Sequence, residues 1–163
     1  MNVEQWRWRL LWLAVFVAAL SALHLADHAI RGNVVVTHGL NPHWNHSGWP
    51  FQPKFTEYTF ALIVVSATFI IGIAGMVRGR LMAGYWVVTL IFLLGFVVLV
   101  HFVGSNAETP TIIYQTYLAD GSSIAGTIAL VIFYSIIVFG TTLVVLAANA
   151  GIASRRGRLT APH

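Results

Sequence analysis

The sequence predicts an all-α integral membrane protein, a four-helix transmembrane bundle whose two extracytoplasmic loops form a cap. Three observations predict it. The chain of 163 residues is 58% hydrophobic and only 9% charged, where a soluble domain carries about 25% charged residues. A globular core of this length could not bury so much apolar side chain, so lipid must solvate much of it. The apolar residues fall into four long runs, at about 8–30, 56–77, 81–103 and 120–150 of a single domain spanning 1–163. The cations flank those runs and form no basic face. The placement of those cations therefore sets membrane orientation, and the net charge of +4 gives no reason to expect nucleic acid as a partner.

The first run follows Trp6, Arg7, Trp8 and Arg9, the pattern of an interfacial anchor. A signal peptide with small residues near Ala19 to Ala22 is the alternative, but the apolar run continues past that point. Ala18, Ala22 and Ala26 recur every fourth residue, a stripe suited to close helix packing. Gly32 to Lys54 reads as a loop, with Asn41-Pro42, Ser47-Gly48 and Trp49-Pro50 as turn signals. Within it, Val34 to Val36 suit a short strand or a loop lining, and Trp44, Trp49 and Phe51 an interfacial position.

The second helix is expected from Thr56 as N-cap, with Glu57 at the positive end of the helix dipole. Gly75 and Gly79 form a GxxxG that either packs or marks the turn at Arg78 to Arg80. The third helix places His101 in its last turn. Gly104 to Ala119 reads as a second polar loop, carrying Glu108, Pro110, Tyr114 and Tyr117. The fourth helix exceeds the roughly 20 residues that a span needs, so it should tilt or protrude.

Arg7, Arg9, Arg78, Arg80, Arg155, Arg156 and Arg158 fall on one side of this arrangement, and Arg31 and Lys54 on the other. That asymmetry places both termini in the cytoplasm. The expected location is the inner (plasma) membrane of a bacterium. The outer face then receives His24, His28, His38, His43, His46 and His101, together with Asp27, Glu57, Glu108 and Asp120.

His24, Asp27 and His28 stand at i, i+3 and i+4, so they share one helix face. At 1.5 Å per residue, His24 lies roughly 24 Å and His101 roughly 28 Å from the cytoplasmic ends of their helices. Parallel first and third helices therefore bring them to similar depth. Ionisable groups at such depth normally face the bundle interior or a cavity. The leading expectation is a transition-metal site (zinc, copper or iron) formed by His24, Asp27, His28 and His101, with Glu57 or Glu108 adding charge. Two alternatives compete with it. One is a haem b held between two of the histidines. The other is a non-catalytic accessory or scaffold subunit of a larger membrane complex, its histidines merely reaching water.

Other chemistries are disfavoured. The chain has no cysteine, which excludes disulfides, thiolate metal sites and thiol redox chemistry. One partial histidine box on the outer face does not match membrane di-iron hydroxylases, which use several boxes on the cytoplasmic face. A pH sensor would need a bistable element, and none is legible. No serine–histidine nucleophile pattern is evident, and whether the chain is an enzyme stays open. The bilayer is the expected surrounding, with other membrane subunits as further expected partners.

Overall fold

The computed structural model describes residues 2–44 and 57–159, with side chains at 2–44 and 58–156. The elements are α1 (Val3–His38), α2 (Glu57–Val77), α3 (Ala83–Phe102), α4 (Pro110–Ala119) and α5 (Ser123–Leu159). Four of them, α1, α2, α3 and α5, are long and apolar enough to cross a membrane, as in a membrane protein. Their outward faces carry large apolar side chains such as Trp12, Ile70, Val88 and Ile124, all exposed.

Period 3.5 organises the packing. Along α1 the inward positions are Arg7, Leu10, Ala14, Val17, Ser21, His24, His28, Arg31 and Val35, alternately three and four residues apart. Along α5 they are Gly126, Ala129, Phe133, Ile136, Gly140, Leu143, Ala147 and Ala150. In α3, Ala83, Trp86, Leu90, Leu93, Val97 and Val100 repeat the pattern. Such a repeat keeps one seam of each helix facing its partners throughout its length. The seam of α5 is rich in Gly and Ala. Helices in lipid gain little from hydrophobic burial and associate by close backbone approach, which small residues permit. Helix α5 accordingly packs against α1, α3 and α4, while α2 packs against α1 and more lightly against α3.

The helix ends near Arg7 are tied together. Arg7 Nη1 donates to the Met76 carbonyl at 2.5 Å, placing a cation on the C-terminal turn of α2, and the same guanidinium pairs with Glu4. Gly72 lets α2 meet α3, because a Cβ there would lie 2.3 Å from the Trp86 ring. Trp86 also donates to Met76 Sδ at 3.3 Å, and Tyr85 donates to the Thr68 carbonyl at 2.7 Å.

Several element expectations change. Helix α1 does not stop near residue 30. It continues through Gly32 and the Val34–Val36 stretch to His38 and ends on Gly39 in the left-handed region (φ 62°). Gly32, Val34 and Val35 are buried. Tertiary burial overrides the β preference of valine and the helix cost of glycine. The segment expected as a loop over 104–119 contains α4, started by Thr109 as N-cap and Pro110 at its first positions. Helix α5 runs nine residues past the expected end at 150, to Leu159. Gly79 sits in the turn (φ 85°) with open space around it, whereas Gly75 packs closely, a Cβ there lying 2.7 Å from Met82 Sδ, as does Gly72. Ala22 and Ala26 lie on the exposed side of α1 and do not form an internal packing stripe. His46, Trp49, Phe51 and Lys54 lie outside the described residues.

Candidate metal centre

At Ser21 the α1 seam turns from apolar to polar. The next inward positions are His24, His28 and Arg31, and the same seam direction that buries Val17 now buries them. His24 and His28, one helical turn apart, bring their Nε2 atoms within 3.2 Å. From α3, His101 meets both, with ring centroids 5.4 Å from His24 and 5.6 Å from His28. One ligating nitrogen of each of the three lies within 4.8 Å of the others. Phe133 of α5 closes the inner side, edge-on to His101 at 4.6 Å between centroids.

The turn between α3 and α4 fixes two of the three rings. Gly104 (φ 86°) folds the chain back, and the Glu108 amide donates to the Val100 carbonyl at 3.0 Å. The Glu108 carbonyl then accepts from His101 Nδ1 at 2.7 Å. The Glu108 carboxylate enters the bundle, where Oε2 lies 3.2 Å from His28 Nδ1 and Oε1 meets Arg31 Nη1. A carbonyl can only accept, so Nδ1 of His101 carries the proton, while the Glu108 carboxylate places a negative charge beside His28 Nδ1. With Nδ1 protonated, His101 keeps its lone pair on Nε2. His24 Nδ1 is buried without a hydrogen-bond partner among the described residues.

Arg31 is the hub of the surrounding charges. It is fully buried, at 0% exposure. Its Nε donates to Asp27 Oδ2 at 2.8 Å, and Asp27 Oδ1 accepts from the Tyr117 hydroxyl at 2.7 Å. Glu108 is only 2% exposed. Carboxylates so deep are tolerable only with paired and hydrogen-bonded partners. Tyr117 lies on α4, outside the four candidate spans. Burial, followed by its bond to Asp27 and that residue's charge, pushes its phenol up from the ordinary 10.0.

The residues expected to form the site divide as follows. His24, His28 and His101 converge. Asp27 does not point at them, because Arg31 and Tyr117 hold both its oxygens. The Glu57 side chain lies outside the described residues. Asp120 pairs with His38 at 3.0 Å on the exposed surface, away from the cluster. Arg31 and Tyr117 were not among the expected site residues. A signal for Arg31 was present, since it continues the three-and-four spacing that runs from Leu10 through His24 and His28.

Beside the three histidines lies a cleft of about 100 Å³, lined from α1, α2, α3 and α5. Ser21 and Tyr58 line it near the histidines, and Val17, Phe69, Leu90 and Gly140 line its far end. No family model, no curated protein and no solved structure matches this chain, so its chemistry is read from this geometry.

Proposed function

We propose that this chain is a membrane metal-binding protein whose His24, His28 and His101 hold one divalent transition ion through nitrogen. The observation that carries the reading is the convergence of three imidazoles, with His101 held through Nδ1 by the Glu108 carbonyl. In a tetrahedral site with bonds of roughly 2.0–2.1 Å, neighbouring ligand nitrogens stand about 3.3 Å apart. The 3.2 Å between His24 and His28 already meets that spacing. A carboxylate or carbonyl bonded behind a ligating histidine fixes its tautomer and raises its basicity; the Glu108 carbonyl does so for His101, and its carboxylate sets a negative charge beside His28.

Three neutral imidazoles and an open fourth position suit zinc or copper(II). Iron of the oxygenase type wants two histidines and a carboxylate. Here Asp27 is committed to Arg31 and Tyr117, so iron fits less well. Haem b fits least. The three rings touch one another with centroids 4.6 to 5.6 Å apart, and no slot for a porphyrin separates them.

The arginine asymmetry supports cytoplasmic termini in a bacterial inner membrane, which puts the histidine end outside. The turn and helix α4 over 104–119 then form an extracytoplasmic cap over the centre. The position of α4 against α1 and α5 supports that cap. X-ray absorption on zinc-loaded protein tests the reading. Three imidazole ligands per ion are expected in the wild type. A spectrum without imidazole scattering would sink it.

A further inference from the structure

The cleft beside the histidines has two chemically different ends. Its histidine end offers nitrogen ligands and an unpartnered His24 Nδ1. Its walls beyond that are aliphatic and aromatic, including Leu25, Ala61, Val65, Leu94 and Val97. From His24 down to Val17 and from His101 down to Leu90, it extends about 10 to 16 Å at 1.5 Å per residue. The cleft runs between α2 and α3. These helices are joined by hydrogen bonds near their connecting turn, at Tyr85–Thr68 and Trp86–Met76, far from the histidines. At the histidine end the cleft is bordered by Trp44 and by Tyr58, whose hydroxyl donates to the Leu25 carbonyl.

The metal reading adds a charge argument. Three imidazoles are neutral ligands, so they cancel none of the ion's double charge. Asp27, Glu108 and Arg31 together contribute at most one net negative charge among the described residues. An anionic oxygen in the fourth position is thus favoured over a neutral one. A small anion would satisfy the ion and leave the apolar cleft unfilled. An amphiphile with an anionic head satisfies both.

We propose that the cleft binds a long-chain carboxylate, its carboxylate on the ion and its alkyl chain along the cleft between α2 and α3. This rests on the metal reading, and the test separates the two. Protein loaded with Co²⁺ is titrated in detergent with acetate, hexanoate and dodecanoate, following the visible cobalt bands. Dodecanol serves as the neutral control. The same titration is run on Ala61→Phe and Val65→Phe, which fill the cleft from α2, the helix that carries none of the three histidines. The expected result is dodecanoate binding at least tenfold tighter than acetate in the wild type. That advantage should vanish in whichever filled variant retains the cobalt spectrum, and dodecanol should be silent. Equal affinity for all chain lengths, or an advantage that survives filling the cleft, overturns the carboxylate inference and leaves the metal centre standing. Wild-type protein that takes up no cobalt overturns both.

Discussion

Glu108 Oε2 lies 3.2 Å from His28 Nδ1, while the backbone carbonyl of Glu108 accepts from His101 Nδ1 at 2.7 Å. One residue in the turn before α4 therefore acts on histidines of two different helices, setting the His101 tautomer through its carbonyl and placing a negative charge beside His28. Substituting it separates the two roles. In Glu108→Gln the carbonyl bond to His101 survives and the carboxylate behind His28 is lost. Metal affinity should fall by about 10- to 100-fold, the usual range for losing such a partner. A competition titration with a chromophoric chelator measures it. Unchanged affinity would mean that Glu108 does not act on the ion through His28.

Arg31 is the buried counter-charge of both Asp27 and Glu108. Arg31→Met leaves two carboxylates without it. Breaking a buried pair from one side typically costs about 3–5 kcal/mol. Thermal unfolding in detergent should show a loss of that size in metal-free protein. Because a bound cation restores part of the missing charge, zinc should narrow the gap between variant and wild type. A gap that zinc widens would contradict the electrostatic coupling.

Tyr117 provides the pH test. Its phenol is raised above the ordinary 10.0 by burial and by Asp27. The folded state holds the proton more tightly than the unfolded state. The associated stability is therefore fully present below the unfolded value and is lost as pH rises through the folded one. Wild-type protein should lose stability progressively above about pH 10, the unperturbed tyrosine range. Tyr117→Phe should remove that contribution to the alkaline loss, at a cost of about 1 kcal/mol at neutral pH for the missing hydrogen bond. Parallel alkaline curves for the two proteins would contradict this role for Tyr117.

The helix approach at the opposite end is testable without touching the site. A Cβ on Gly72 would lie 2.3 Å from the fully buried Trp86 ring, whereas one on Gly95 meets nothing within 4 Å. Gly72→Ala should destabilise by about 1–3 kcal/mol through overpacking. Gly95→Ala should be neutral or slightly stabilising, since alanine is favoured over glycine in a helix by up to about 1 kcal/mol. Thermal unfolding of the pair, measured side by side, checks the contrast.

The helices were legible in the sequence because lipid imposes a length and an apolar content on each span. The convergence of His24, His28 and His101 was legible too. Helical spacing fixes the first two, and the parallel direction of α1 and α3 fixes the depth of the third. What the local signals hid was the continuation of α1. Asn33, Gly39 and the valines after Gly32 read as loop or strand. Only packing against other elements holds Gly32, Val34 and Val35 in a buried helix. That continuation keeps Arg31 on the inward seam, where it takes Asp27 away from the histidines. Helix α4 was hidden for a related reason. Ten residues at Pro110–Ala119 form a helix that would be marginal alone and is held by packing on α5 and α1. Its cap signal, Thr109-Pro110, was present in the sequence.

Three histidines on two helices form one ion site in the function proposed above. The most direct test is the metal content of protein purified in detergent without chelator and then dialysed against zinc, with an optical spectrum of the same sample. The account predicts one tightly held ion per chain, no Soret band, and loss of the ion in each of His24→Ala, His28→Ala and His101→Ala. Metal-free protein after dialysis, or an ion that persists in all three variants, would contradict it.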